Sequence, residues 1–593
     1  MGRIRVLPEN LANRIAAGEV VERPAAVVKE LVENALDGEA SSVEIAIEAG
    51  GCALVRVSDD GCGMDREDLL LSVERHATSK ISTPDELDAV RTLGFRGEAL
   101  AAIASVSLMT LTTSQGDGPG WRLELRAGEV ESVESVVAPP GTTVEVRSLF
   151  FNTPARRKFL KSTQREGAVV AETLANLALA HPECGFSFSS DGRIVLTLPT
   201  GSSLRERAVR LLAVEDPLLS AHWEAGGIRV EAHASGAGES RGDRSAQRIL
   251  VNGRPVRDKT IGHAIAQVYG PLLPPARFPI AVVALAVASS EVDVNVHPAK
   301  SEVRFRNPGA IHQAVTGALR RALGQVDALK KIALAPDVTA AFRGLDAVPE
   351  PLPLTPFVAS PSGSRPVVSV SEPAGTTVSS RPSVPLPMGA AWTVRIIVGQ
   401  YRDSYIVASD GEGLLLVDQH AAHERVLFEQ ILGGGTAREV QPLLSPALVE
   451  IPLGLRLVLP SALPDLAGMG FEVEPFGEGA AVVRAMPGEF EGADPARLLR
   501  DILADLARDR QVLDDGDGSR FPGEEETTRR RRSVAASTAC HAAIKVNFPL
   551  GPAKMSWLLD ALARCRVPKS CPHGRPTILR LTQEGIEKAF LRG

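Results

Sequence analysis

No Gly-x-x-x-x-Gly-Lys-Ser/Thr phosphate loop occurs anywhere in the chain, so any ATP chemistry here requires a nucleotide fold other than the P-loop one. Cysteine is scarce. Six scattered cysteines in 593 residues are too few for a disulfide framework and point to a reducing compartment. No run of about 18 apolar residues suggests a membrane span, and the N-terminal stretch lacks the apolar core of a signal peptide. The expectation is a soluble, cytoplasmic protein with no membrane partner. Net positive charge is missing too: a formal charge of −7 excludes a generally basic nucleic-acid coat, so any DNA contact is local and salt-sensitive. Basic segments show no aromatic interleaving, which disfavours single-strand stacking and favours sequence-independent backbone binding. There is no internal repeat.

The length exceeds what one hydrophobic core serves, so three or four domains are expected. Between Pro349 and Pro387, ten prolines stand among Ser, Val, Gly and Thr, and periodic apolar patterning disappears. Such a segment cannot bury enough apolar surface to offset its ordering entropy, and 333–391 reads as a tether. Before it, residues 1–215 mix helical patterns with alternating runs such as Ser42-Val43-Glu44-Ile45-Ala46-Ile47-Glu48 and Thr142-Thr143-Val144-Glu145-Val146, the signature of an α+β sandwich. A second α/β unit is expected over 216–332, with strands around Ile228 to Ala232 and Ile280 to Leu285 and a closing helix near Ala310 to Leu329. Beyond the tether, Arg395-Ile396-Ile397-Val398 and Leu414-Leu415-Leu416-Val417 look like buried strands. With helical Ala421 to Leu432 they open another α+β unit over 392–593.

Three segments converge on nucleotide chemistry. Pro24 suits a first helical turn, and Val27, Val28, Leu31 and Ala35 form an apolar stripe. Glu30 and Asn34 lie one turn apart on the opposite face, where a carboxylate and an amide can flank water and a metal. Asp59 opens the turn Asp59-Asp60-Gly61-Cys62-Gly63 at a strand end, where backbone can approach a ligand closely. Gly94 and Gly97 bracket Phe95-Arg96 in a segment able to wrap phosphates.

With Asn13 to Pro24, Arg75-His76-Ala77-Thr78-Ser79-Lys80, Gly94 to Leu100, and Gly141-Thr142-Thr143 leading to Phe150-Phe151-Asn152-Thr153-Pro154-Ala155-Arg156-Arg157, this order of motifs resembles the GHKL ATPases, specifically the MutL family of DNA mismatch-repair proteins. The resemblance is dense to about residue 160 and sparser to 306. It implies a GHKL-type sandwich binding ATP and Mg²⁺. Glu30 would be the general base and Asn34 a Mg²⁺ ligand, while Asp59 would accept from the adenine amino group. Gly61, Gly63 and Thr143 would line the nucleotide. Thr78, Ser79, Lys80, Gly94, Phe95, Arg96 and Gly97 would form a lid, and Lys300, in Asn295-Val296-His297-Pro298-Ala299-Lys300, would reach the terminal phosphate from the second unit. One departure stands out: Leu36-Asp37-Gly38-Glu39-Ala40 replaces the family's Leu-Asp-Ala-Gly-Ala, shifting the glycine by one position.

Asp418-Gln419-His420-Ala421-Ala422-His423-Glu424-Arg425-Val426-Leu427-Phe428-Glu429 resembles the endonuclease motif of MutL proteins that nick DNA themselves. A helix here sets His420 and Glu424 one turn apart, a workable metal-ligand spacing. Ala539-Cys540-His541 and Cys571-Pro572-His573-Gly574-Arg575-Pro576 resemble that family's other metal motifs. Cys540, Cys571 and His573 therefore join Asp418, His420 and Glu424 as a mixed ligand set for Zn²⁺ and/or Mn²⁺, with Asp418 and Glu424 also catalytic. The role of Glu429 stays open between motif member and helix-surface carboxylate.

The family resemblance further implies a homodimer acting on double-stranded DNA with a mismatch-recognition protein of the MutS family. Gln441-Pro442-Leu443-Leu444-Ser445-Pro446 resembles a sliding-clamp docking peptide. Arg244, Arg248, Arg254 and Arg257 are candidate phosphate contacts, and Arg529 to Arg532, after Glu524-Glu525-Glu526, read as a self-neutralised loop. The alternative function is a non-nucleolytic ATP-dependent matchmaker that recruits a separate nuclease. A topoisomerase or chaperone on the same ATP fold would leave the C-terminal motifs unexplained.

Overall fold

A computed structural model describes residues 21–75, 77–78, 97–274, 277–293, 303–333, 396–433, 440–490, 493–508, 526–544 and 547–589. Helix α1 (Pro24–Asp37) starts at Pro24, whose fixed φ is preset for the first turn. Val27, Val28, Leu31, Val32 and Ala35 bury against α2 (Thr163–Ala180) and the strands β1 (Ser42–Glu48) and β2 (Leu54–Asp59). The start of α1 is fixed by Arg23, which grips the buried Glu166 carboxylate of α2 through bonds of 2.9–3.0 Å.

Six further strands, β3 (Leu108–Ser114), β4 (Gly120–Arg126), β5 (Glu129–Val136), β6 (Gly141–Arg147), β7 (Gly185–Ser190) and β8 (Arg193–Leu198), complete an eight-stranded sheet. Its order is β5-β4-β3-β6-β2-β1-β7-β8. In β1, Val43, Ile45 and Ile47 alternate inward as the two-residue period requires. The register sets Asp59 opposite both Val43 and Thr142, so its carboxylate stands where the central strand ends.

A second sheet combines β9 (Leu219–Ala225), β10 (Ile228–Ala234), β11 (Gln247–Val251), β12 (Arg254–Pro255) and β13 (Ala281–Ala286) in the order β12-β11-β13-β10-β9. Helices α3 (Lys259–Tyr269) and α4 (Pro308–Ala333) pack together and close its core.

The C-terminal elements include β14 (Ile396–Tyr401), β15 (Tyr405–Ser409), β16 (Gly413–Asp418), α5 (Gln419–Leu432), β17 (Val440–Glu450), α6 (Leu453–Arg456), β18 (Glu472–Phe476), β19 (Ala480–Pro487), α7 (Pro495–Arg508), α8 (Glu526–Ala542), α9 (Pro552–Ala563) and β20 (Ile578–Thr582). They form two sheets, β14-β15-β16-β20 and β17-β19-β18. Ile406, Ala408, Leu415 and Val417 fill one face of the first sheet. The expected burial of the strand at Ile396 is corrected: Ile396 and Val398 are 63% and 64% exposed, and Leu579 and Leu581 of β20 are 59% and 44% exposed. These strands bury one face only. The run of arginines at 529–532 lies within α8 rather than in a loop.

Helix α5 belongs to two cores at once. Ala422 and Val426 pack with the first C-terminal sheet, while Leu427 and Phe428 pack with the second. Among the described residues no helix is long and apolar enough to cross a membrane.

Candidate functional site

At the N-terminal site, Glu30 and Asn34 share one face of α1 and remain half-buried. Lys29 Nζ stands 3.7 Å from Glu30 and 3.5 Å from Glu33. The paired aspartates at the end of β2 divide their work. Asp60 accepts from the backbone N–H groups of Ser41 and Ser42 and from Ser41 Oγ, pinning the start of β1; these bonds outweigh desolvation and lower its pKa. Asp59 Oδ1 accepts from Gly61 N at 3.0 Å and Thr142 N at 3.2 Å. Burial wins over those two bonds and raises the pKa of Asp59. With Oδ1 so occupied, Oδ2 is the atom available to a ligand donor. Thr143 Oγ1 is shared with Ser58 Oγ at 2.6 Å, and Gly63 turns against Ser114.

Gly97 has φ +59°, and a Cβ there would strike the backbone of Ala77. Only glycine meets both demands, and the contact brings Gly97 beside Thr78. Ser79, Lys80, Gly94, Phe95, Arg96 and Lys300 lie outside the described residues.

The displaced glycine after α1 has a local consequence. Gly38 sits at φ −81°, and the left-handed position belongs to Glu39, at φ 59°. Still, the turn closes: Gly38 N donates to Asn34 O at 2.9 Å and Ala40 N to Ala35 O at 3.1 Å. Beyond this turn, a cavity of about 330 Å³ is lined by residues including Asp37, Glu39, His181, Asn252 and Arg254. Of the other candidate DNA arginines, Arg248 is paired with Glu172, Arg244 lies over the Phe278 ring and Arg257 is exposed.

In the C-terminal half, α5 carries polar side chains into burial from both sides, so each must find a partner inside the protein. Asp418 caps the helix, its Oδ1 accepting from His420 N at 2.9 Å and Ala421 N at 3.0 Å. Gln419, fully buried, donates to Asp403 O and Phe548 O. The Ile544 peptide is used twice: its carbonyl accepts from His420 Nδ1 at 2.9 Å, and its N–H donates to His423 Nδ1 at 2.9 Å. That consumes His423, which burial pushes down to about 4. It also fixes a proton of His420 on Nδ1 and turns Nε2 toward Glu424, the outer hydrogen bond a metal-ligating histidine uses.

His420 Nε2 faces Glu424 Oε1 at 3.1 Å. Glu424 is 1% exposed, and its Oε2 has no hydrogen-bond partner among the described residues; His573 Nδ1 stands 3.8 Å away. Burial pushes the carboxyl of Glu424 up, but the facing His420, His573 and Cys540 outweigh it and hold the group well below the carboxylate range. His573 is pushed up to about 9 by Cys571 first and by Glu424 next.

Two groups with metal-ligand spacing share this carboxylate. His420, Glu424 and Cys540 form one, and Glu424, Cys571 and His573 the other, their donor atoms lying within 4.8 Å of one another in each. Five of the six expected ligands thus meet around Glu424. Asp418 is set apart at the helix cap. A buried carboxylate oxygen without a hydrogen-bond donor, faced by imidazole and thiol, fits a Zn²⁺ or Mn²⁺ ion.

Three further residues of the same motif act as supports. Arg425, fully buried, donates from Nε to Ser570 O at 2.6 Å, immediately before Cys571. Glu429 accepts from the backbone N–H groups of Arg566 and Val567 at 2.7 and 3.1 Å. Glu429 is not a free surface carboxylate; together with Arg425 and Gln419 it anchors neighbouring chain to α5. Their sequence signal was membership of the motif, which does not say what they touch.

Residues 22–150 match the family described as "Histidine kinase-, DNA gyrase B-, and HSP90-like ATPase". Residues 207–324 match "DNA mismatch repair protein, C-terminal domain", and 398–550 match "MutL C terminal dimerisation domain". The chain is 38% identical over 660 residues to the DNA mismatch repair protein MutL of Koribacter versatilis, covering 100% of both. It is 40% identical over 619 residues to that of Anaeromyxobacter dehalogenans, covering 99% of both. A solved structure of the Aquifex aeolicus MutL ATPase domain complexed with ADP is 32% identical, with 45% of this chain and 93% of that one covered and a TM-score of 0.35.

Proposed function

Because the chain belongs to the MutL family of DNA mismatch repair proteins and carries a GHKL-type ATPase domain, we propose that it couples ATP binding and hydrolysis to metal-dependent nicking of double-stranded DNA. The nicking half rests on one observation: buried Glu424 is faced by His420 and Cys540 on one side and by Cys571 and His573 on the other. Those five residues would hold Zn²⁺ and/or Mn²⁺, with Asp418 orienting the helix that presents two of them. The bound ion supplies Lewis acidity at a phosphodiester.

In the ATPase domain Glu30 would take the proton of the attacking water, Asn34 would hold Mg²⁺ and Asp59 would accept from the adenine amino group. Gly61, Gly63 and Thr143 line the nucleotide. Thr78 to Lys80 and Gly94 to Gly97 would form the lid over the phosphates, and Lys300 would reach them from the second unit. The functional units are 1–215, 216–332, a tether at 333–391, and 392–593.

The protein works as a cytoplasmic homodimer with a MutS-family partner. Support for dimerisation comes from the open apolar face of β14-β15-β16-β20, where Ile396, Ser409, Leu414 and Leu581 stand in one cross-strand row. Gln441 to Pro446 serves as a clamp-docking peptide: it sits at a register break in edge strand β17, with Leu444 fully exposed.

Nicking of supercoiled DNA with Mn²⁺ tests this reading. Glu424→Lys should abolish nicking and Asp418→Asn should reduce it at least tenfold, about 1.4 kcal/mol, while ATP turnover survives in both. Retained nicking in both variants would remove the nuclease assignment and leave an ATP-driven matchmaker.

A further inference from the structure

The apolar contact between the two halves of the chain is shared between their cores. Leu453 of α6 is fully buried within the core of the eight-stranded sheet, and Ala168 of α2 is buried in the core beneath β17-β19-β18. Leu457 reaches to 3.0 Å from the Cβ position of Gly167, and Gly454 lies so close to Glu172 that a side chain there would collide with it.

Polar contacts surround this centre. Arg456 donates to Val195 O at 2.8 Å and Arg210 O at 3.4 Å. In the opposite direction, Arg165 Nη1 donates to Ala507 O at 2.5 Å. Two ion pairs alternate in sign: Arg277 with Asp501 at 3.0 Å, and Glu215 with Arg500 at 2.5 Å. Arg277, Asp501 and Arg500 keep 9%, 13% and 5% of their side chains exposed. A displaced or reversed placement would bury like charges against each other or strand them unpaired, which is strongly unfavourable. Alternating charge of this kind specifies one register between two surfaces.

We propose that this face of the N-terminal half is a docking surface for the C-terminal half of the same chain, engaged through α6 and α7. The dock spans two sheets. Arg165, Val195 and Arg210 belong to the eight-stranded unit, whereas Arg277 lies beside β13 of the second, and Glu215 lies in the passage between them. The docked C-terminal half therefore bridges both units, adding to the core and the Arg248–Glu172 pair that already join them. This inference is independent of the nuclease assignment.

Glu215 is 40% exposed, and buried Arg241 beside it keeps its own partner in Glu239. Glu215→Arg in the full chain should undock the halves, read as an increased radius of gyration in small-angle scattering. Adding Arg500→Glu should return it to the native value. No expansion, or expansion that Arg500→Glu leaves unreversed, overturns the proposal. A second measurement is independent of charge. Oxidation of the full chain carrying Gly167→Cys and Leu457→Cys, with each single variant as control, should form a disulfide that leaves the mass on a denaturing gel that of one chain. No cross-link, or one that doubles the mass, overturns docking within the chain.

Discussion

Glu39 shows how one residue can carry the strain of a shifted glycine. The turn after α1 needs a left-handed residue, and it falls on Glu39, at φ 59°, while Gly38 next to it spends its freedom on an ordinary φ of −81°. A side chain with Cβ costs about 1 kcal/mol in that region. Glu39→Gly should therefore raise the unfolding midpoint of the N-terminal half by a few degrees, corresponding to about 1 kcal/mol, with ATP turnover unchanged. A lowered or unmoved midpoint in a thermal scan would show that the Glu39 side chain supplies an interaction that offsets its backbone. The displaced glycine was visible in the sequence; which neighbour inherits the strained conformation depended on the path of the chain into β1.

Helix α5 was legible as a helix and as the carrier of His420 and Glu424, because a one-turn spacing is local. Its burial on both sides was not legible. Each sheet that covers it is built from strands far away in sequence, so nothing local gave Arg425 a partner or decided the role of Glu429. In the fold they tie the segment leading to Cys571 back onto the helix. Glu429→Ala would leave two backbone N–H groups without their acceptor and remove the carboxylate 3.8 Å from buried Arg425, a loss of about 2–3 kcal/mol. Cys571, fully buried, should then react with a thiol reagent in metal-free protein, and zinc bound per chain should fall while ATP turnover persists. Glu429→Gln, which keeps an acceptor oxygen, should fall between the two. Unchanged Cys571 reactivity in Glu429→Ala would remove the anchoring role. The exposed strand at Ile396 and Val398 has the same origin as this blind spot: apolar runs report β-structure, but not how many faces are covered.

At the scale of the molecule, the ordered N-terminal motifs and the loss of apolar patterning before Pro387 made the division into units readable. The contact between units was not. Arg277 and Asp501 are 224 residues apart, and nothing in the composition around either marks a partner. Helix α5 poses a different question at this scale, because it lends Ala422 and Val426 to one core and Leu427 and Phe428 to the other, with Glu424 at the seam. An ion gripped there cross-links α5, α8 and the segment holding Cys571, closing chain loops whose freedom must otherwise be given up on folding. Metal occupancy then becomes a term in the cooperativity of the C-terminal half. With zinc bound, calorimetry should show the two cores melting in one transition; with a chelator present, that transition should fall in temperature and separate into two. An identical thermogram with and without chelator would mean that α5 alone fuses the cores, and that the ion bears none of the coupling.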